Sequence, residues 1–61
     1  MKPKCKLIDE DGNIFNLLGI ASRVLKENHQ DREAAEMKER VMSSSSYTEA
    51  LNIILEYVEA Q

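Results

Sequence analysis

The sequence predicts a small α+β domain that is mainly helical, with one short N-terminal strand followed by three helices. Near the N-terminus, apolar residues alternate with lysines, which is typical of a half-buried strand. From residue 14 onward, apolar residues recur at intervals of three and four in three separate segments, which indicates amphipathic helices. With 61 residues, the chain is predicted to form a single domain spanning 1–61.

The strand is predicted at about residues 4–9, "KCKLID". Lys4 and Lys6 fall on one side of an extended chain, and Cys5 and Leu7 fall on the other. We therefore expect the lysines to face water and the apolar pair to face the core.

The first helix is predicted at about 14–28, after a corner at Gly12 and Asn13. Its apolar stripe consists of Ile14, Leu17, Leu18, Ala21, Val24 and Leu25. Asn13 is the expected N-cap, since its side-chain oxygen accepts from amides of the first turn. Gly12 is expected to turn the chain with a positive φ. Asn28 or His29 is expected to take the left-handed conformation that ends many helices.

The second helix is predicted at about 32–42, with Asp31 as its N-cap. Its apolar stripe is thin and contains Ala34, Met37 and Val41. Arg32, Glu36 and Arg40 are spaced to form an i, i+4 ladder on an exposed face. We therefore expect this helix to be peripheral.

The third helix is predicted at about 47–59, after a turn of four serines at 43–46. Ser46 and Glu49 have the spacing of a capping box. The apolar arc of this helix covers about half of its circumference, which is wider than a surface helix needs.

Composition limits the chemistry that the chain can perform. The net charge is −3, and three lysines lie within the first six residues, so the remainder is strongly acidic. Cys5 and His29 are the only soft metal ligands, whereas a structural zinc site needs four. We expect no metal or other cofactor, no signal peptide and no membrane span, and hence a soluble cytoplasmic protein.

Neither Cys5 nor His29 has the sequence context of a catalytic group. A reactive thiol needs a neighbouring base or a helix N-terminus, and a general base needs a partner and a pocket. Cys5 is expected to be a small buried residue and His29 an exposed loop residue. We therefore predict no catalytic residues and no enzymatic activity.

Two helices carry apolar residues at the borders of their stripes, where a simple amphipathic helix would be polar. These residues form the predicted interaction surface: Phe15, Gly19, Ile20, Ile53, Leu55 and Tyr57. Gly19 is unfavourable inside a helix. It is either a glycine that the helix tolerates or one that lets the strand or a partner approach Phe15 closely. The excess apolar width and the unpaired strand suggest a homodimer. The alternative is a monomer whose strand crosses the groove between the first and third helices.

The segment "SYTEALNIILEYVEA" is similar to the second helix of ribbon-helix-helix regulators, and "KCKLID" resembles their DNA-reading ribbon. This resemblance implies an alternative function, in which Lys2, Lys4 and Lys6 contact DNA from an antiparallel ribbon shared by two chains. The extra helix between strand and final helix departs from that family. The acidic remainder of the chain also makes nucleic acid the less favoured partner.

A second resemblance covers nearly the whole chain. The run "DGNIFNLLG" at 11–19 and the tail from Tyr47 to Glu59 resemble small uncharacterised bacterial proteins found among phage and mobile-element genes. The resemblance implies a bacterial accessory protein without enzymatic activity and indicates no particular site. We therefore predict a small non-catalytic interaction module with an unidentified protein partner.

Overall fold

The computed structural model describes residues 1–8 and 10–61 and confirms the predicted mainly helical α+β fold. The elements in chain order are β1 (Lys4–Cys5), α1 (Ile14–Glu27), α2 (Asp31–Met42), α3 (Tyr47–Tyr57) and β2 (Glu59–Ala60). The second strand is absent from the prediction. The predicted end of the first strand, Asp9, lies outside the described residues.

The two strands pair with each other in parallel, so the first strand is not an orphan. Lys4 is opposite Glu59 and Cys5 is opposite Ala60. The Glu59 amide donates to the Pro3 carbonyl at 2.9 Å. The first strand ends at Cys5, earlier than predicted, because ladder pairing reaches only as far as the short C-terminal strand.

The C-terminal residue Gln61 continues this pairing with its backbone. Its amide donates to the Cys5 carbonyl at 2.9 Å, and its carbonyl accepts from the amides of Leu7 and Ile8 at 3.0 and 3.1 Å. Backbone groups of the N-terminal segment thereby find partners at the other end of the chain.

The start of α1 follows the prediction in its cap but not in its glycine. The Asn13 side-chain oxygen accepts from the Phe15 amide at 2.9 Å, which confirms Asn13 as the N-cap. Gly12 does not have a positive φ, so the predicted left-handed corner is wrong. Instead, the Gly12 carbonyl accepts from the Tyr47 hydroxyl at 2.6 Å, which ties this corner to the start of α3.

The end of α1 is a Schellman motif with histidine in the usual glycine position. His29 has a φ of 60°, the left-handed conformation predicted for Asn28 or His29. The His29 amide donates to the Lys26 carbonyl at 3.0 Å, and the Gln30 amide donates to the Leu25 carbonyl at 2.8 Å. These bonds satisfy carbonyls that the helix end would otherwise leave unpaired.

The second helix departs from the prediction in two respects. Asp31 is its first residue rather than its cap, and the N-cap, Gln30, makes no side-chain bond to the helix. The helix is also not peripheral, because it packs against both α1 and α3. Met37 is fully buried and Ala34 nearly so. A thin stripe of small and flexible side chains allows this helix to lie between the other two.

The third helix begins as predicted and ends two residues early. The Ser46 hydroxyl accepts from the Glu49 amide at 3.1 Å, as in a capping box. The Glu49 carboxylate reaches back one residue further than predicted and accepts from the Ser45 amide at 2.9 Å. Helix α3 ends at Tyr57, and Val58 is extended and fully buried before the chain enters β2.

The three helices and the inner side of the sheet enclose one core. The largest fully buried side chains are Leu25, Met37, Ile54, Val58 and Cys5. Burial of Cys5 and Leu7 confirms the inner side predicted for the strand. Within the described part of the chain, none of the helices combines the length and apolar character needed to cross a bilayer.

Candidate functional site

Phe15 is the most exposed of the large apolar side chains on the three helices. It lies in the first turn of α1, where the Asn13 cap holds its amide, and it is 63% exposed. The packing of the three helices does not bury the ring. Phe15 therefore marks the centre of the candidate interaction surface.

Three adjoining hollows meet at Phe15. The largest, 330 Å³, lies between the first two helices, and we call it the α1–α2 groove. It is lined by Phe15, Leu18, Gly19 and Ser22 from α1 and by Lys38 and Met42 from α2. A second hollow lies towards the start of α3, where Tyr47 forms part of the wall. The third lies on the other side of the ring, beside Ile20 and Arg23.

Met42 and Tyr47 extend the apolar surface beyond Phe15. Met42 is 60% exposed and Tyr47 is 50% exposed. Neither residue was predicted from the sequence to be part of the interaction surface. Met42 ends α2 and Tyr47 begins α3, and neighbouring helices cover less of a side chain at a helix end. Their positions at helix ends could therefore have indicated their exposure from the sequence.

Gly19 lies one turn after Phe15 on the same side of α1. A Cβ atom added at Gly19 would meet no atom within 4 Å. The strand therefore does not use Gly19 for a close approach, so that interpretation of this glycine is wrong. A tolerated glycine is one of the two interpretations left, and approach by a partner, the other, stays a prediction.

The charged residues that border Phe15 are basic. Arg23 lines the hollow beside Ile20, and Lys38 lines the α1–α2 groove. Among the described residues, no carboxylate lines any of the three hollows that meet at Phe15. Acidic residues outnumber basic ones in the chain as a whole, so this basic border differs in sign from the net charge.

The structure separates the predicted surface residues into two groups. Phe15, Gly19 and Ile20 line one hollow together. Ile53 is only 9% exposed and belongs to the core, so its prediction as a surface residue is wrong. Leu55 and Tyr57 are partly buried against the core and line none of the hollows at Phe15.

Tyr57 takes part in a polar network between α2 and α3. Its hydroxyl donates to Glu36 at 2.5 Å and accepts from Arg40 at 3.1 Å, and the Arg40 Cζ lies 5.6 Å from the ring centroid. Arg40 also forms a bidentate ion pair with Glu56 at 2.8 and 3.1 Å. The predicted ladder along α2 is therefore replaced by bonds from Glu36 and Arg40 to α3.

These bonds shift the titration of the groups that make them. Desolvation, and then the hydrogen bond to Glu36, raise the pKa of Tyr57. The Arg40 guanidinium, which donates to Glu56, holds the pKa of that carboxyl below its ordinary value. The network is exposed, and it joins two helices rather than surrounding a cavity.

The lysines of the DNA-binding alternative lie at or beside β1. Lys4 and Lys6 are exposed, whereas the Lys2 ammonium donates to the Leu55 carbonyl at 2.9 Å. β1 pairs in parallel inside its own chain, with Glu59 opposite Lys4. The ribbon of that alternative is antiparallel and shared between two chains. The observed pairing does not favour this alternative.

Cys5 and His29 have the environments expected of structural residues. Cys5 is 1% exposed, and desolvation raises the pKa of its thiol, which disfavours the reactive thiolate. His29 is exposed at the end of α1. Within residues 1–8 and 10–61, no three side chains of metal-binding type come together.

Comparison of the chain with known protein families, with curated proteins and with solved structures finds no match.

Proposed function

We propose that this chain is a small non-catalytic interaction module that binds a partner protein through the surface around Phe15. The observation that carries the proposal is the 63% exposure of Phe15 at the meeting point of three hollows. Aromatic side chains at the centre of an apolar patch are frequent anchors of protein interfaces. Phe15, with Met42 and Tyr47, supplies such a patch.

The local structure of this surface also supports a binding role. The Asn13 cap fixes the Phe15 backbone, so a partner would meet an anchor that is already positioned. Gly19 costs about 1 kcal/mol in a helix interior relative to alanine. No neighbour within the chain uses the space beside it. Contact with another protein gives this glycine a function.

Self-association is the second form of the same proposal. Of the two reasons for a homodimer, the unpaired strand no longer applies, because β2 pairs with β1 in the same chain. The other reason is the exposed apolar surface, which a second copy would cover. Phe15, Met42 and Tyr47 form that exposed surface in the folded chain.

The biological setting is proposed from the sequence. The resemblance at 11–19 and 47–59 supports a bacterial protein associated with phage or mobile elements. A single cysteine, buried and free, supports a reducing compartment such as the cytoplasm.

Site-specific photo-crosslinking in the native cells tests the proposal. A benzophenone amino acid replaces Phe15 in one variant and the exposed Asn52 of α3 in a matched control. We expect a discrete adduct from position 15 that position 52 does not give. An adduct of twice the 7.0 kDa chain mass would identify the partner as a second copy. No adduct at position 15, or the same adducts at both positions, would overturn the proposal.

A further inference from the structure

We infer that the α1–α2 groove binds an amphipathic helix of a partner protein whose apolar stripe is bordered by carboxylates. The inference rests on the proposed function and names the chemistry of the partner. It is carried by three properties of the groove, namely its helical walls, its open floor at Gly19 and its basic border.

The walls of the groove favour a helix over an extended segment. Both walls are α-helices, and their backbone groups are already paired within each helix. An extended segment would find no sheet edge there and would lose hydration of its own amides and carbonyls without new partners. A helix brings its backbone bonds with it, so it needs only side-chain contacts.

The size and floor of the groove suit side chains from one face of such a helix. An apolar cavity of about 150 Å³ is large enough to hold benzene. The groove has 330 Å³, so it accommodates one or two side chains of leucine or phenylalanine size. Since a Cβ atom at Gly19 would meet nothing within 4 Å, a partner helix has room to approach the α1 backbone.

The charge at the border selects the partner. Lys38 lines the groove, and the residues three and four positions from it along α2 are Ala34, Ala35, Val41 and Met42. No carboxylate of its own helix is therefore positioned to neutralise Lys38. Arg23 is a second basic residue beside the neighbouring hollow, but Glu27 follows it four residues later on α1 and Glu10 lines the next hollow with it, so Lys38 carries the charge argument. Carboxylates flanking the partner's apolar stripe would complement Lys38.

The same charges argue against a second copy as the occupant. A two-fold symmetric interface places the same surface on both sides, so each cation needs an anion within that surface. Within the described part of the chain, the hollows at Phe15 contain Lys38 and Arg23 but no carboxylate. Two copies joined through the α1–α2 groove would bring their Lys38 side chains together without a carboxylate among the lining residues to pair with them.

Binding of two synthetic helical peptides to the full chain tests the inference. The peptides share one leucine stripe, and the positions beside it are glutamate in one and lysine in the other. Fluorescence anisotropy at low salt should give a dissociation constant about tenfold lower for the glutamate peptide. The difference should shrink at high salt, because the charges are at the rim.

The variant Lys38→Glu and its matched control Lys26→Glu separate this groove from general electrostatic attraction. Both substitutions change net charge equally at exposed helical positions, but Lys26 lines none of the hollows at Phe15. Lys38→Glu should abolish or reverse the preference for the glutamate peptide. Lys26→Glu should retain it. Thermal melting of each variant checks that both are folded.

Three outcomes would overturn the inference: no binding of the glutamate peptide at millimolar concentration, equal affinity for both peptides, or equal effects of the two substitutions. None of them removes the proposed function, which depends on the adduct at position 15. If that adduct forms but the glutamate peptide does not bind selectively, the interaction module stands and the acidic-helix partner does not. A specific adduct of double mass would also overturn the inference and leave the module intact.

Discussion

Met37 and Met42 lie on the same helix, yet Met37 is fully buried and Met42 is 60% exposed. Met37 belongs to the core, whereas Met42 lines the groove beside Phe15. The two tyrosines differ in exposure more than in bonding. Tyr57 is partly buried and bonded to Glu36 and Arg40, whereas Tyr47 is half exposed and its hydroxyl donates to the Gly12 carbonyl. One region of the molecule is closed by internal contacts, and the other presents similar side chains to solvent.

The contrast shows that some charged side chains of this fold have a partner within the chain, whereas others do not. Where α2 meets α3, Arg40 makes a bidentate bond to Glu56. Where α2 borders the groove, the described residues offer no carboxylate to Lys38. Exposed apolar residues beside a lysine with no carboxylate in the groove support the proposed interaction surface.

The largest expected effect is a difference in the free energy of unfolding between substitutions at Met37 and at Met42. Met37→Ala should lower the free energy of unfolding by about 2–4 kcal/mol, because it removes buried methylenes and leaves a cavity. Met42→Ala should change it by less than about 0.5 kcal/mol, because the side chain is mostly in water. Urea denaturation followed by circular dichroism measures both. Equal losses would show that the groove is part of the structural core.

The second prediction concerns the pairing of β1 with β2. Deleting residues 59–61 removes the β1–β2 pairing, including the bonds from the Glu59 amide to Pro3 and from the Gln61 amide to Cys5. It also removes the bonds that the Leu7 and Ile8 amides donate to the Gln61 carbonyl. We expect a loss of about 2 kcal/mol in the free energy of unfolding.

Reaction of the Cys5 thiol with a thiol reagent provides a second measurement of how far the β1–β2 pairing protects the core. Labelling should be faster in the shortened chain, since Cys5 is protected in the intact fold. Gln61→Ala is the matched control, because Gln61 bonds through its backbone and should keep both stability and labelling rate. An unchanged labelling rate after the deletion would show that pairing with β2 does not protect Cys5.

The third prediction distinguishes stability from binding at the groove. Gly19→Ala should raise the free energy of unfolding by about 0.5–1 kcal/mol, because alanine favours the helix and its Cβ meets open space. The same change should weaken binding of the glutamate-bordered peptide. Ala35→Gly, at an exposed site outside the groove, should lower stability and leave peptide binding unchanged. Tighter binding by Gly19→Ala would contradict the close-approach argument.

The smallest effect concerns the ion pair of Glu56. Its pKa is lowered in the folded chain, mainly by the hydrogen bond from Arg40. The ionised carboxylate therefore stabilises the fold above its ordinary pKa of 4.5, and this stabilisation is lost as the pH falls through the lower folded value. Glu56→Gln should lower the melting temperature slightly at pH 7 and not at all well below that folded pKa.

Glu39→Gln, at an exposed position of α2, is the charge-matched control. It removes one negative charge and leaves the Arg40–Glu56 ion pair in place, so it measures the effect of net charge alone. Since Arg40 and Glu56 are both exposed, the effect at neutral pH should be small. A difference from wild type that persists equally at low pH would assign it to packing instead of the ion pair.

The sequence predicts the local features of this fold well. Asn13 and Ser46 cap their helices as expected, because a capping side chain acts on amides only two or three residues away. His29 ends α1 for a similarly local reason. Phe15, Gly19 and Ile20 were predicted as surface because their helical positions place them beside the apolar stripe, and they line one hollow.

Features that depend on distant parts of the chain were predicted less well. β2 is missed because Glu59 and Ala60 carry no strand pattern and are extended by pairing with β1. Ile53 was assigned to the surface because its helix appeared too apolar for one core, but α2 lies closer to α3 than its thin stripe suggested. Lys38 was missed because its significance depends on which side of α2 the groove occupies.

The parallel pairing of β1 with β2 has a consequence for how the chain folds. Parallel strands need a crossover connection, and here that connection comprises all three helices. Closing so long a loop costs entropy before two short strands return any hydrogen bonds. We therefore expect the helices to assemble first and the sheet to form after the folding transition state. Substitutions in the terminal strands should then mainly accelerate unfolding and hardly slow folding.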